Sequence, residues 1–204
     1  MLETIKEIKD VAASCNKCSL CQNRKKAIFS SGNEMSEVMF ITDYPRDDEE
    51  LALDFFEGKG GKLLQQALIG LGINKEKIYY TSLVKCNVGN KIIKDEEIKS
   101  CIDYLRNQVV IMRPKMVVLM GDVVVNEILG DENTVAVVRG KVIDKKGIRY
   151  IGTYNPVMIL NDDNKKVELW NDLKLLKDEA QKNSIVERVL MKRLNRQKHC
   201  MIFT

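Results

Sequence analysis

Four cysteines in two distant pairs are the side chains of this sequence with the clearest capacity for chemistry. Cys15 and Cys18 are separated by two residues near the N-terminus, and Cys86 and Cys101 lie in the middle of the chain. Thiols paired in this way bind zinc or an iron–sulfur cluster, and the spacing alone does not distinguish the two. In another interpretation Cys86 and Cys101 are ordinary buried cysteines, and only the first pair binds a metal.

The scarcity of histidine restricts which other residues can be catalytic. The chain has a single histidine, His199, which lies close to the C-terminus. We therefore expect that histidine is neither a ligand at the cysteines nor a catalytic group. Any chemistry in this protein must use other side chains.

The composition predicts one domain and a short tail. A chain of 204 residues, 45% hydrophobic and 30% charged, is long enough for one sizeable core. We expect that domain to span residues 1–180, and a basic, helical tail to span residues 181–204. The tail has six basic residues and one acidic residue, so either it contacts a polyanion or it is a solvated helix face.

No segment has the roughly 20 consecutive apolar residues of a membrane helix, and the N-terminus lacks a signal-peptide pattern. We therefore expect a soluble, cytoplasmic protein, and a monomer is the default oligomeric state. In the cytoplasm the cysteines would stay reduced or bind metal rather than form disulfides.

The elements that must position these residues alternate between strand and helix. Short apolar runs predict strands, and helical spacing of apolar residues predicts helices between them. The strands are expected at 38–41, 78–84, 116–120 and 150–153, and the helices at 2–13, 61–71, 95–112, 122–129 and 165–180. This order indicates an α/β fold with a parallel sheet covered on both faces, and 134–145 is interpreted as an added hairpin.

Ligands of such sheets bind beyond the carboxyl ends of the strands. Three segments follow strands and are therefore the candidate ligand-binding loops. They are residues 42–50, 82–90 and 155–163.

A series of short motifs follows the same order as in a known family. The motifs are Cys15-x2-Cys18-x-Leu20 with Arg24, Phe56-Glu57-Gly58-Lys59-Gly60-Gly61-Lys62-Leu63-Leu64, Thr81-Ser82-Leu83-Val84-Lys85-Cys86, Glu97-Ile98-x2-Cys101-x2-Tyr104-Leu105, Thr153-Tyr154-Asn155-Pro156 and Trp170-x-Asp172-Leu173-Lys174. In this order they resemble the iron–sulfur uracil-DNA glycosylases known as family 4, of the uracil-DNA glycosylase superfamily.

The resemblance implies a fold, a cofactor and a partner. The fold would be a three-layer α/β/α arrangement with a central four-stranded parallel sheet, and DNA would bind across the strand ends. A structural 4Fe-4S cluster would be bound by Cys15, Cys18, Cys86 and Cys101, with Cys21 as a bystander. Lys91 and Lys94 would face DNA phosphates, because basic side chains position a protein on the DNA backbone.

The resemblance also implies residues that would hold a flipped base. Phe56 takes the place of the family's stacking phenylalanine, although a core aromatic residue is the other interpretation. Ser82 stands where the family commonly has an asparagine that reads the base edge. Its shorter side chain either leaves room for a larger or modified base or indicates that recognition of uracil is lost. Tyr44 is expected to narrow the loop beside the base.

Two further motifs depart from the family pattern. Asp43 supplies the carboxylate that would orient water or stabilise the oxocarbenium ion, and Arg46 replaces a glycine. Arg46 would either contact a DNA phosphate or pair with the neighbouring acids. Asn155 replaces the histidine that stabilises the leaving base, and its amide is expected to donate one hydrogen bond to a base oxygen in its place. Met158 begins an apolar run that would fill the hole left in the DNA, or would belong to the core.

Two functions remain open from the sequence. The first is a DNA glycosylase that excises uracil or another altered pyrimidine. The second is a catalytically impaired descendant that binds DNA or a protein partner and keeps the cluster and the sheet.

Overall fold

The computed structural model describes residues 4–89 and 91–182. The predicted tail over 181–204 lies outside these residues, apart from Gln181 and Lys182, which end the last helix. Its helical character and its contact with a polyanion therefore stay predictions. None of the helices in the described part of the chain combines the length and apolar character needed to cross a membrane.

One sheet of six strands forms the centre of the fold. The strands are β1 (Ser31–Gly32), β2 (Val38–Thr42), β3 (Tyr79–Ser82), β4 (Met116–Met120), β5 (Ile143–Lys145) and β6 (Ile148–Thr153), in the spatial order β1-β3-β2-β4-β6-β5. The inner four pair in parallel, which confirms the predicted central sheet. The two edge strands are short and antiparallel, so the whole sheet is wider than the predicted four strands.

Seven helices surround the described sheet. They are α1 (Ile5–Ala13), α2 (Asp47–Ala52), α3 (Lys59–Gly70), α4 (Asp95–Met112), α5 (Asp122–Leu129), α6 (Val135–Val138) and α7 (Asp163–Lys182). Successive strand residues point to opposite faces of the sheet. Phe40 therefore packs with the core on the side of α3 and α7, while Met39 and Ile41 pack on the side of α4 and α5. The result is the predicted three-layer arrangement.

Two local predictions were wrong. Residues 134–145 are not a separate hairpin, because α6 begins where the backbone N–H of Val135 donates to Asp122 (2.7 Å), and only β5 pairs with β6. The segment predicted as a loop over 42–50 contains the start of α2. Four acidic residues occupy the first turn of that helix, where negative charge is favourable.

Candidate active site and cysteine-lined cavity

The carboxyl ends of the parallel strands bring the predicted catalytic residues together. Thr42 and Ser82 are direct neighbours in the β2–β3 ladder, and Asp43 follows Thr42. Asn155 comes two residues after the end of β6. Gly121, after β4, lies so close that a Cβ there would stand 3.3 Å from the Cβ of Asn155, and its φ of +97° also favours glycine.

Asp43 accepts hydrogen bonds from its neighbours on three sides. Its Oδ1 accepts from the hydroxyl of Thr42 (3.1 Å), the backbone N–H of Tyr44 (2.8 Å) and the amide of Asn155 (3.1 Å). Both of its oxygens also contact Nη2 of Arg46, at 3.1 and 3.0 Å. The carboxylate is therefore fixed in orientation, and its charge is balanced by a guanidinium.

Both the nitrogen and the oxygen of the Asn155 side-chain amide form hydrogen bonds within the protein. Its Nδ2 donates to Thr42 Oγ1 (3.0 Å) and to Asp43 Oδ1, and its Oδ1 accepts from the backbone N–H of Val157 (3.0 Å). The side chain is buried. In this arrangement Asn155 orients Asp43.

Arg46 folds back over the loop that carries it. Its guanidinium carbon lies 3.7 Å from the centre of the Tyr44 ring, and its side chain is 17% exposed. Among the nearby acids the side chain pairs with Asp43 rather than with those at 47–50, and its contact with a DNA phosphate stays a prediction. Its Nη1 is buried and has no hydrogen-bond partner among residues 4–89 and 91–182.

Two of the predicted base-binding residues, Phe56 and Ser82, are buried. Phe56 is 3% exposed, and its ring meets that of Tyr80 edge-on at 5.3 Å. Ser82 is fully buried, and its hydroxyl donates to the carbonyl of Val84 (2.8 Å). Because both side chains are buried, a base could contact Phe56 or Ser82 only after the side chains that cover them move.

Glu49 adds a buried carboxyl group to the same region. It is 2% exposed, and burial raises its pKa to about 7. Its Oε2 accepts from the backbone N–H of Arg46 (2.8 Å), which ties α2 to the loop. The pKa of Tyr80 is also raised, chiefly by burial and then by the negative charges of Glu49 and Asp43.

Two open clefts flank the Asp43–Arg46 ion pair. Asp43 and Asn155 line one of about 320 Å³. Arg46 and Lys59 line the other, of about 330 Å³. A short 3₁₀ helix, Pro156–Ile159, contributes to both, and its Met158 is 75% exposed.

The two lysines predicted to contact DNA are exposed. Lys91 lies in the loop that precedes α4, and Lys94 is the last residue before that helix. The ammonium group of Lys94 is 3.6 Å from the exposed carboxylate of Glu96. Both cations are accessible to a polyanion.

The predicted cysteine ligands surround one cavity. Its walls include the five thiols of Cys15, Cys18, Cys21, Cys86 and Cys101. The first three come from the segment after α1, the fourth follows β3, and the last lies on α4. The structure therefore joins the two distant pairs, as predicted, and places Cys21 at the same cavity.

Charged and polar groups converge on these thiols. Arg24 donates from Nη1 to Cys86 Sγ (3.1 Å), and from Nη2 to the carbonyls of Ala13 (3.0 Å) and Cys15 (2.8 Å). The backbone N–H of Lys85 donates to Cys101 Sγ (3.4 Å). Burial raises the pKa of the Cys86 thiol to about 11 and raises that of Cys101, while the Arg24 and Lys85 cations act in the opposite direction.

A further polar atom lies at the cavity. The hydroxyl of Tyr104, which lines the cavity, is buried and interacts with the thiol of Cys15, although no contact within the described chain reaches normal hydrogen-bond geometry. The thiols, the Arg24 cation and this hydroxyl together fit a group that binds thiolates.

Four residues at these two sites were not assigned a role from the sequence. Tyr80 could have been noticed because it is two residues before Ser82 and so faces the same side of its strand. Arg24 and Tyr104 stood in the motifs without a role. Thr42 is identified only by the tertiary contacts described above.

Comparison with known proteins agrees with this architecture. Residues 29–174 match the model of the uracil DNA glycosylase superfamily. A type-4 uracil-DNA glycosylase of Archaeoglobus fulgidus is 30% identical over 182 residues, which cover 85% of this chain and 92% of the relative. One from Sulfurisphaera tokodaii is 30% identical, with 88% and 86% covered, and one from Saccharolobus solfataricus is 34% identical, with 59% and 56% covered. The chain belongs to the uracil-DNA glycosylase superfamily.

Proposed function

We propose that this protein is a DNA glycosylase that flips uracil or another altered pyrimidine out of DNA and hydrolyses its N-glycosidic bond. The observation that carries the proposal is the carboxylate of Asp43, held by Thr42 and Asn155 beside an open cleft at the strand ends. The similarity to type-4 uracil-DNA glycosylases over most of the chain supports it.

Asp43 would act on the sugar. A fixed carboxylate can orient the attacking water and stabilise the positive charge that develops on the sugar as the bond breaks. Asn155 would keep the carboxylate in position through its hydrogen bond to Oδ1. Phe56 would stack on the base, while Ser82 and Tyr44 would border it, once the covering side chains have moved.

The cavity between the cysteines would hold a 4Fe-4S cluster. Cys15, Cys18, Cys86 and Cys101 would ligate it, and when bound it would cross-link the N-terminal segment to α4 as a structural group. A four-thiolate zinc site is the other interpretation of these cysteines. The similarity to type-4 uracil-DNA glycosylases over most of the chain favours the cluster.

DNA would lie across the strand ends. Lys91 and Lys94 would contact phosphates, and the exposed Met158 would enter the space that the flipped nucleotide leaves in the duplex. Arg46 is placed at the same edge, but its guanidinium is committed to Asp43 in this structure.

A panel of oligonucleotides tests the activity. Strands that contain uracil, 5-hydroxymethyluracil or other modified pyrimidines are incubated with stoichiometric protein, and abasic sites are then cleaved with alkali. We expect abasic product from at least one of these bases. The proposal fails if no substrate yields abasic product.

A catalytically impaired module that binds DNA or a protein partner is the second candidate. It is favoured by the Arg46–Asp43 ion pair, which balances the carboxylate's charge, and by the internal hydrogen bond of Ser82. In that case wild-type protein binds DNA without releasing a base. The double variant Ser82→Asn with Asn155→His would then be expected to gain uracil excision, measured with the same panel.

A further inference from the structure

The proposed reaction needs a hydrogen-bond donor to the departing base. The side-chain amide of Asn155 does not supply it in this structure, because its N–H groups are already bound within the protein. When the N-glycosidic bond breaks, its electron pair leaves with the base, so negative charge develops on the base oxygens. Both acceptors within reach of the Asn155 Nδ2, Thr42 Oγ1 and Asp43 Oδ1, belong to the protein. Another residue must therefore stabilise the leaving group.

Arg46 has an unpaired donor that becomes available for this purpose once the side chains covering it move. Its Nη1 is buried and lacks an acceptor within the described residues, although Nη2 is held by Asp43. A buried donor without an acceptor costs free energy, and a ligand that supplies the acceptor recovers that cost. The guanidinium is always protonated, so it offers a positive charge together with the hydrogen bond.

The guanidinium is also held in place. It stacks 3.7 Å from the centre of the Tyr44 ring, and Nη2 contacts both oxygens of Asp43. Catalysis gains most from charges that are already oriented before the reaction begins. A donor fixed on two sides satisfies that condition.

The ion pair matches the charge separation of the reaction. Asp43 borders one cleft and Arg46 borders the next, so a negative and a positive group lie side by side at the strand ends. During bond cleavage the sugar becomes positive while the base becomes negative. A carboxylate beside the sugar and a guanidinium beside the base would stabilise both charges together.

We propose that Arg46 stabilises the negative charge on the departing pyrimidine. This inference rests on the proposed glycosylase function. Water adds to C1′ as the C1′–N1 bond breaks, the electron pair of that bond leaves with the base, and the proton lost by the water reaches the base through solvent. Arg46 donates a hydrogen bond throughout and neither gains nor loses a proton.

Single-turnover base release from two leaving groups tests the role. Arg46→Met, Arg46→Lys and wild type are compared on oligonucleotides that contain uracil or 5-fluorouracil, whose fluorine already stabilises the anion. We expect Arg46→Met to release uracil about 10²- to 10³-fold more slowly. The loss should be clearly smaller for 5-fluorouracil, and Arg46→Lys should retain part of the rate because it keeps the charge.

The chain offers a matched control. Arg106 pairs with Asp103 three residues away at 3.0 Å, as Arg46 pairs with Asp43, but both side chains are about two-thirds exposed on α4. Arg106→Met should release both bases at the wild-type rate. Thermal unfolding checks that Arg46→Met stays folded despite the loss of the ion pair, and its affinity for abasic DNA should match that of wild type.

Each contrary result has its own meaning. Equal losses on both bases would show that Arg46 acts only by positioning Asp43, and a faster Arg46→Met would show that it only blocks the pocket. Either result overturns the inference while the glycosylase function stands. A wild-type protein that releases no base from any substrate overturns the function and the inference together.

Discussion

The cysteine-lined cavity and the strand-end site satisfy their polar groups in opposite ways. At the cavity, five cysteines and Tyr104 surround a shared space. At the strand ends, Asp43, Arg46 and Asn155 bind one another. The first site leaves room for the proposed cluster, whereas the polar groups of the second satisfy one another.

This difference predicts that the cavity contributes mainly to the stability of the fold and the strand-end site mainly to activity. The proposed cluster would join the N-terminal segment to α4, so the loss of one of its ligands should fall mainly on stability. The strand-end residues fold without a ligand, so their loss should fall mainly on activity.

The largest effect is expected at the cavity. Cys101→Ser should abolish the visible absorbance of the cluster and lower the free energy of unfolding by about 4 kcal/mol or more, because loss of a bound metal group is among the most damaging single changes. Absorption spectra and urea denaturation measure both. Cys21→Ser, a change at the same cavity, should keep the visible absorbance. Loss of that absorbance in Cys21→Ser would contradict the proposed ligation by Cys15, Cys18, Cys86 and Cys101.

Asp43→Asn should mainly affect activity. We expect base release to slow by about 10²- to 10⁴-fold, because the carboxylate charge is lost while the side-chain shape remains. Single-turnover assays measure the rate, and thermal unfolding checks the fold. Asp103→Asn, in the exposed pair with Arg106, is the control. An active Asp43→Asn would remove Asp43 from the mechanism.

Glu49 should make the free energy of unfolding depend on pH. Because burial raises its pKa from 4.5 to about 7, the folded protein holds an extra proton in that range. The stability that this group contributes is present below about pH 4.5 and is lost as pH rises through 7, by up to about 3 kcal/mol. Glu49→Gln should therefore be stabilised relative to wild type at pH 8 but not at pH 4.5.

Urea denaturation at several pH values measures this difference. Glu96→Gln, a change of an exposed carboxyl group on α4, should follow the wild-type curve. If the Glu49→Gln and wild-type curves stay parallel between pH 4.5 and 8, Glu49 does not hold the extra proton.

The smallest effect is expected at the loop between the two sites. The double variant Lys91→Gln with Lys94→Gln should weaken DNA binding about tenfold and reduce the slope of log affinity against log salt by up to about 2, since each phosphate contact contributes about 0.9. Fluorescence anisotropy over a salt series measures it. Lys77→Gln with Lys115→Gln, at the opposite end of the strands, should leave the slope unchanged.

Much of the architecture could be predicted because it depends on local patterns. The apolar runs at β2 and β4 indicated their strands, and the order of elements indicated a parallel sheet. The edge strand β1 was missed because two residues carry too little periodicity, whereas β5 falls in the second arm of the hairpin predicted over 134–145. The short helix α6 was read as part of a hairpin, since its start depends on the contact of Val135 with Asp122, 13 residues away.

The sequence by itself determined the residue types and their order: cysteine pairs, a carboxylate after the first long strand, and no histidine where the family has one. Only the tertiary structure decided their partners. It paired Arg46 with Asp43 instead of the nearby acids, turned the amide of Asn155 towards Asp43, and directed Arg24 and Tyr104 at the thiols. Such contacts depend on side-chain directions and on burial, which spacing along the chain does not specify.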